Sequence, residues 1–329
     1  MFAAVTAGPE LPMQRDLYPP IEPFDVVRVA VDDLHTLHVE QSGNPDGVPV
    51  VFLHGGPGSP WSSHVRRFFD PGHYRLVAFD QRGTWRSTPL GELRDNTTPH
   101  LIGDIELLRR RFGIDRWIVF GGSWGSALAL AYGQAHPERC LGLVVRGISL
   151  GRSIENRWGF HESRHVRPEA WEMLVSSVPE AERGDLDGAL LRRMLDPDPA
   201  VHWPVIKGWM DQADILGRSR NLDIDISEEG IDTPEMDVVG ARLSIVYFSN
   251  HIFLPPGSLL ANAHRLHPVP GVIIHGEDDF NCPLANAWDL HKAWPQAAYR
   301  PIPDAGHSCF DRNIRLALVA AMEDFKHLG

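Results

Sequence analysis

A tight turn between a strand and a helix constrains this chain more than any other feature. The residues Gly121-Gly122-Ser123-Trp124-Gly125 have the form G-x-S-x-G. The apolar run Trp117-Ile118-Val119-Phe120 before them reads as a buried strand. Ala127-Leu128-Ala129-Leu130-Ala131-Tyr132 after them reads as a helix. Strand, turn and helix with a serine at the apex is the context of a nucleophile elbow. Small residues there permit a sharp turn that lifts a serine oxygen out at the carboxyl end of a sheet. The helix amino terminus beneath it favours developing negative charge. The bare pattern also fits an ordinary turn; the flanks make Ser123 the expected nucleophile.

The surrounding pattern predicts the sheet. Residues 26–40 alternate apolar and polar, as a half-exposed strand does. Val50-Val51-Phe52-Leu53 and residues 74–79 read as buried strands ending at His54 and Asp80. Residues 101–112 carry apolar positions at helical spacing, and Leu141-Gly142-Leu143-Val144-Val145 is another buried strand. Strands alternating with helices imply an α/β fold with a doubly wound, mostly parallel sheet. After about Ser149 the rhythm breaks. Residues 150–220 have helical periodicity without strand candidates, and the acidic stretch 221–240, with its Gly and Pro, reads as loop. Gly271-Val272-Ile273-Ile274-His275 resumes the strand pattern. The expected organisation is a core over 1–148, a helical cap over 149–249 and a return to the core over 250–329.

A chain of 329 residues can bury a sizeable core. A net charge of -12 argues against nucleic acid or an anionic membrane surface as the main partner. No apolar run approaches the roughly 20 residues of a membrane span. Residues 1–14 lack the basic start and apolar stretch of a signal peptide. Cys140, Cys282 and Cys309 form a sparse, odd set without a CxxC pair, which reads as reduced thiols in a cytoplasmic protein. No zinc-type cluster is present, so no metal and no cofactor is expected. The oligomeric state is not legible.

In a sheet of this kind the triad runs in the order serine, acid, histidine. Gly276-Glu277-Asp278-Asp279 follows a late strand, and Asp304-Ala305-Gly306-His307 lies in a loop near the carboxyl end. His307 is the expected base, and Asp278 and Asp279 both qualify as the acid that orients it. His54-Gly55-Gly56-Pro57-Gly58 ends an early strand and is a candidate oxyanion loop, with the amide of Trp124 as second donor. No Lys-Ser/Thr follows those glycines and no G-x-G-x-x-G frame exists, which argues against a nucleotide site.

The wider set of motifs resembles the prolyl iminopeptidase family of α/β-hydrolases. The carrying segments include Leu17-Tyr18-Pro19-Pro20, Ser42-Gly43-Asn44-Pro45, His54 to Gly58, Asp80-Gln81-Arg82-Gly83, Asn96-Thr97-Thr98, Asp104-Ile105-Glu106, Gly121 to Ser126, Arg146-Gly147-Ile148 and Ala305-Gly306-His307-Ser308. They span the chain in order from near residue 17 to near 308. The resemblance implies a metal-independent serine peptidase that removes an N-terminal proline from short peptides. It places the acid fourth in a G-x-x-D segment, hence at Asp279, and the oxyanion donors at Gly56 and Trp124.

The departures from the family pattern cluster at the substrate. The family holds the substrate's amino group with two cap glutamates. Here Ala213 and Ser244 stand at the matching positions, in Trp209-Met210-Asp211-Gln212-Ala213 and Ala241-Arg242-Leu243-Ser244-Ile245-Val246-Tyr247-Phe248. Trp85 replaces a glycine of the D-Q-R-G-x-G-x-S loop, and Ser149 and Phe160 fall where the family has other aromatic positions. Trp158, Phe160, Trp209 and Tyr247 are candidate pocket walls. An ammonium taken out of water needs paired charge, and Asp211 or Asp214 is the nearby carboxylate able to supply it. The expected function is therefore hydrolysis of an amide or ester bond in a small molecule or short peptide, with strict proline release not expected. An exopeptidase with shifted acidic anchors, an esterase, lactonase or amidase for a neutral metabolite, and a cyclase or binding protein on the same fold are the readings left open.

Overall fold

The computed structural model describes residues 16–219, 221–228 and 231–329, so the stretch 1–14 lies outside the described residues. Eight strands build one sheet: β1 (Pro23–Ala30), β2 (Thr36–Gly43), β3 (Val48–Leu53), β4 (Tyr74–Phe79), β5 (Trp117–Gly122), β6 (Cys140–Arg146), β7 (Gly271–Gly276) and β8 (Ala298–Ile302). Their spatial order is β1-β2-β4-β3-β5-β6-β7-β8. The pairs β1/β2 and β2/β4 are antiparallel; every later pair is parallel.

Runs such as Ile118-Val119-Phe120 are apolar throughout because both faces of a parallel sheet are covered. Val119 points into one core with Leu53, Val77, Leu143 and Ile273. Ile118 and Phe120 point into the other with Phe52, Leu76, Val144 and Ile274. The helices α1 (Thr98–Arg111) and α2 (Trp124–Ala135) cover the first face.

Between β6 and β7 the chain leaves the sheet for an inserted run of helices, the segment expected from the sequence as a cap and called the cap below. It contains α3 (Ser153–Phe160), α4 (Pro168–Ser176), α5 (Leu186–Met194), α6 (Pro199–Leu216) and α7 (Pro234–Ser249). These close on a core of their own around Phe160, Leu174, Leu190, Ile206 and Ile245. The short α8 (Ser258–Ala261) and α9 (Leu284–Ala293) return to the first face, and α10 (Arg312–Asp324) covers the second.

Three details differ from the pattern reading. The alternation over 26–40 is a hairpin, with Val27 opposite Val39 and Val29 opposite Leu37. Asp32 accepts the Leu34 and His35 amides at 2.8 and 2.6 Å and turns the chain, while the period of two runs on through both strands. Residues 234–240, read as loop, belong to α7. Thr233 caps that helix by accepting from the Met236 amide, and Pro234 occupies its first turn. β8 was not anticipated; it is a half-buried edge strand containing Pro301, which an edge position tolerates.

Candidate active site

Ser123 sits between β5 and α2 with φ 58° and ψ -128°. A non-glycine residue there carries strain of about 1–3 kcal/mol. Local hydrogen bonds hold it. Its amide donates to the Arg146 carbonyl at 2.9 Å, and its own carbonyl accepts from the Ser126 amide and hydroxyl at 2.8 and 2.6 Å. The motif's outer glycines are steric requirements. A Cβ on Gly121 would stand 2.1 Å from the Gly125 carbonyl oxygen, and one on Gly125 would stand 2.0 Å from that of Leu53.

The residue predicted as base meets Ser123, and one of the two predicted acids meets the base. His307, in the loop between β8 and α10, places Nε2 3.0 Å from the Ser123 Oγ and Nδ1 2.7 Å from Oδ2 of Asp279. The carboxylate contact requires the proton on Nδ1, leaving Nε2 to accept from the serine hydroxyl. Asp279 follows β7, and its side chain is fully buried. Burial alone pushes its carboxyl up, but the charge and hydrogen bond of His307, with the Cys282 amide on Oδ1 at 2.9 Å, outweigh it and hold it below the usual range. Of the two candidate acids, Asp279 is the one in contact with His307. The amide of its neighbour Asp278 donates to Ala305.

Behind this trio lie residues the sequence reading gave no role. Gly147, at φ +55°, passes under the imidazole, and a Cβ there would stand 3.2 Å from Cε1 of His307. His275 is buried; its Nδ1 accepts the Ile148 amide at 3.0 Å, so its Nε2 donates to the Cys282 carbonyl at 2.7 Å. That bond steadies the segment whose amide holds Asp279. Burial pushes the His275 pKa down, which keeps it neutral.

The predicted oxyanion loop runs over the nucleophile. A Cβ on Gly55 would stand 3.9 Å from the Ser123 Oγ, and Gly56 adopts φ +107°. Trp124 opens α2 beside Ser123. One buried side chain ties both segments together. Gln81 donates from Nε2 to the His54 carbonyl at 3.0 Å and accepts the Trp124 indole N–H at 2.9 Å. The adjacent Arg82 donates twice to Asp104 at 2.7 Å. The D-Q-R-G motif was visible in the sequence, but not that its glutamine joins the two loops.

Residues 48–313 match a family model described as alpha/beta hydrolase fold. The chain is 45% identical over 316 residues to a proline iminopeptidase from Xylella fastidiosa, covering 94% of this chain and 99% of that protein. It is 46% identical over 314 residues to the proline iminopeptidase of Xanthomonas citri, at 94% and 99% coverage. The solved esterase RhEst1 from Rhodococcus sp. superposes with a TM-score of 0.60 at 19% identity, over 92% of this chain and 99% of that one. The chain belongs to the proline iminopeptidase family. It is a serine hydrolase of that type, on the α/β-hydrolase fold.

The residues predicted to bind substrate divide into two groups. Ala213 and Ser244 are each hydrogen-bonded to a loop that carries a predicted site residue. The Ala213 carbonyl accepts from the side chain of Asn281, two residues after Asp279, at 3.1 Å. Ser244 is buried and donates to the Pro57 carbonyl, in the oxyanion loop, at 2.9 Å. Ser149 is tied to the elbow through its amide and the Ser126 hydroxyl at 3.1 Å, and its own hydroxyl donates to Glu155 at 3.3 Å. Trp85 is half-buried against Met236, Val239 and Leu243 of the cap, with the Arg86 guanidinium 3.7 Å from its ring centre. The Trp158 indole donates to the Phe280 carbonyl at 2.8 Å, beside Asp279.

The other three aromatics are occupied in packing. Phe160 is buried in the core of the inserted helices, and Trp209, partly buried, packs against it. Tyr247 is buried edge-on to Trp124, 4.9 Å between ring centres, and its hydroxyl donates to Asn96 at 2.9 Å. Phe160 also borders a cleft of about 860 Å³ with Asn156, Arg157, Trp171, Phe248 and His251. None of Ser123, Asp279 and His307 lines that cleft.

Besides the Asn281 and Trp158 side-chain bonds, two main-chain hydrogen bonds fasten the inserted helices to the Asp279 and His307 loops: the Phe280 amide donates to Leu216 at 3.1 Å and the His307 amide to Gly217 at 3.2 Å. No helix among the described residues is long and apolar enough to cross a membrane.

Proposed function

We propose that Ser123, His307 and Asp279 are a catalytic triad that releases the amino-terminal residue of a short peptide or small amide through an acyl-enzyme. Supporting this is the continuous hydrogen-bond chain from Ser123 through His307 to buried Asp279. As the Ser123 Oγ attacks the carbonyl carbon, His307 Nε2 takes its proton, and Asp279 stabilises the imidazolium. The amides of Gly56 and Trp124 are the proposed donors to the oxyanion. The proton then passes to the leaving amine, and water repeats the sequence on the acyl-enzyme. Relatives named proline iminopeptidase make proline the first acyl group to test.

The substrate's ammonium needs carboxylates other than those at the family positions, which carry Ala213 and Ser244. Asp211 is taken by Lys207, at 2.7 and 2.8 Å. Asp214 and Asp237 have no ion-pair partner among the described residues. Asp214 lies one turn before Gly217, which holds the His307 amide. Asp237 lies one turn before Gly240, which approaches Gly58, and two turns before Ser244, on one face of α7. Partial burial and nearby carboxylates push both of them up, the state a cation would relieve. A second reading, a neutral ester or N-blocked amide as substrate, is favoured by Ala213 and by the Ser244 hydroxyl being spent on Pro57.

The test is a panel of proline arylamides, N-blocked counterparts and short-chain aryl esters, with Ser123→Ala as control. Turnover of the free-amine arylamide above its blocked counterpart is expected. Preference for the blocked compound selects the second reading, and undiminished turnover by Ser123→Ala sinks both.

A further inference from the structure

We infer that Arg146 is a positioning residue for the base, locking the main chain of His307 to the elbow that carries Ser123. The inference rests on the triad reading proposed above. Arg146 ends β6, directly beside β5, with Gly122 as its register partner. Its carbonyl accepts the Ser123 amide at 2.9 Å. Its side chain turns to the other loop, where Nη1 donates to the His307 carbonyl at 2.6 Å. One residue thus grips the nucleophile by its backbone and the base by its side chain.

The guanidinium is seated in a notch made for it. A Cβ on Gly122 would stand 2.5 Å from Nη2 and 2.8 Å from both Cζ and Nε of Arg146, and these are its three nearest atoms. Gly122 is not among the glycines at positive φ, so its missing side chain serves the arginine and not the backbone. No carboxylate within ion-pair distance holds Arg146 among the described residues. Its hydrogen bond goes to a main-chain carbonyl of the base loop, an arrangement that serves position and not charge balance. On the opposite side the His307 amide is held by Gly217 of the cap. The imidazole is therefore fixed at its amide, its carbonyl and Nδ1, leaving Nε2 for chemistry. Reacting groups displaced by about 1 Å lose roughly 10²-fold in rate, and the Arg146 bond is what prevents that displacement on the Ser123 side.

The experiment measures the labelling rate of Ser123 by a fluorophosphonate, and kcat and KM on a short-chain aryl ester, in Arg146→Leu, Arg146→Lys, Gly122→Ala and the double variant Gly122→Ala/Arg146→Leu. Circular dichroism and melting curves establish which variants fold. Arg146→Leu is expected to lower labelling and kcat roughly 10²-fold, with KM unchanged. Arg146→Lys, which keeps one donor, should recover part of the loss. Gly122→Ala should act by expelling the guanidinium, so the double variant should be no slower than Arg146→Leu alone. Should Arg146→Leu fail to fold, Arg146→Lys and Gly122→Ala still decide the matter, since both must slow labelling without raising KM. A parent chain labelled at Ser123, with folded variants labelled at the parent rate, overturns this proposal alone. Additive losses in the double variant overturn it too. A parent chain not labelled at Ser123 removes the triad reading beneath it.

Discussion

The loops at the carboxyl ends of the strands and the helices inserted after β6 differ in how closely they follow the proline iminopeptidase pattern read from the sequence. In the strand-end frame the family's motif residues are present and engaged. Gln81 spans two loops, Arg82 is paired twice with Asp104, and Asp279 is held by His307 and the Cys282 amide. In the helices inserted after β6, the sequence reading places Ala213 and Ser244 where the family pattern has glutamate, while Asp214 and Asp237 lack ion-pair partners among the described residues. On the proposed triad reading the frame would serve steps common to any acyl transfer, and the inserted helices would serve one substrate's shape and charge, which can differ between chains that share a fold and its chemistry.

The comparison breaks first if the frame is not catalytic. Ser123→Ala should lower kcat by about 10⁶-fold, the scale of losing the nucleophile in another serine hydrolase, with the fold intact by circular dichroism. Residual turnover near the parent level would return the frame to a purely structural role.

The next largest effect separates two adjacent carboxylates. Asp279→Asn should cost on the order of 10⁴ in kcat, because the amide leaves His307 in the wrong tautomer. Asp278→Asn should leave kcat near the parent value, since Asp279 is the one that touches Nδ1. The reverse ranking would contradict the geometry directly.

How much of this was legible follows from which signals are local. The parallel strands announce themselves because each is apolar on both faces, and the elbow because Gly121 and Gly125 are demanded by contacts within a few residues or with the next strand. The β1/β2 hairpin was hidden because alternation continues through it, and β8 because a half-buried edge strand has no apolar run. Gln81, Arg146 and His275 were beyond a linear reading. Each acts by joining segments far apart in sequence, and their motifs were visible without any sign of what they join. For Phe160, Trp209 and Tyr247 the sequence signal is ambiguous, because an aromatic in a helical insertion satisfies a core as readily as a pocket; Phe160 and Tyr247 are buried, and Trp209 is partly buried against the core of the inserted helices.

The two regions should also titrate in opposite senses. Glu40 is buried and ion-paired with Arg66 and Arg86, with His38 at 3.1 Å. Burial alone would raise its carboxyl, but these partners hold it near about 2 instead of 4.5. A lowered carboxyl stabilises the fold above its unfolded value, and that contribution is lost as pH falls from 4.5 toward 2. Glu40→Gln, which removes the buried carboxylate that Arg66 and Arg86 share, should cost about 3–5 kcal/mol at neutral pH. Asp237 is raised, so its ionisation opposes folding as pH rises, and Asp237→Asn should leave the melting temperature at pH 7 unchanged or higher. Melting curves from pH 2 to 8 on both variants test this. A loss of stability at pH 7 in both would show that Asp237 is held by a partner.

The smallest effect is the one that tests whether Asp214 and Asp237 hold the substrate. If Asp214 and Asp237 receive the substrate's ammonium, each supplies a hydrogen bond to a charged group, worth about 1.5–3 kcal/mol. That is a factor of roughly 10 to 150 in kcat/KM. Asp214→Asn and Asp237→Asn should each lower kcat/KM for a proline arylamide by that factor. Neither should change it for a short-chain aryl ester, which has no ammonium to place. The ester controls for damage to the frame, because both substrates use the same serine and base. Ala213→Glu supplies a carboxylate at the family's own position and should recover activity in the Asp214→Asn background, since Ala213 is only partly buried. Ser244→Glu should not, because Ser244 is 2% exposed and its hydroxyl already donates to Pro57. A carboxylate there would face a carbonyl oxygen out of water. Equal losses on arylamide and ester would place Asp214 and Asp237 in the architecture of the cap. A parent enzyme that prefers the N-blocked arylamide would mean that replacing the two glutamates removed the ammonium site instead of moving it.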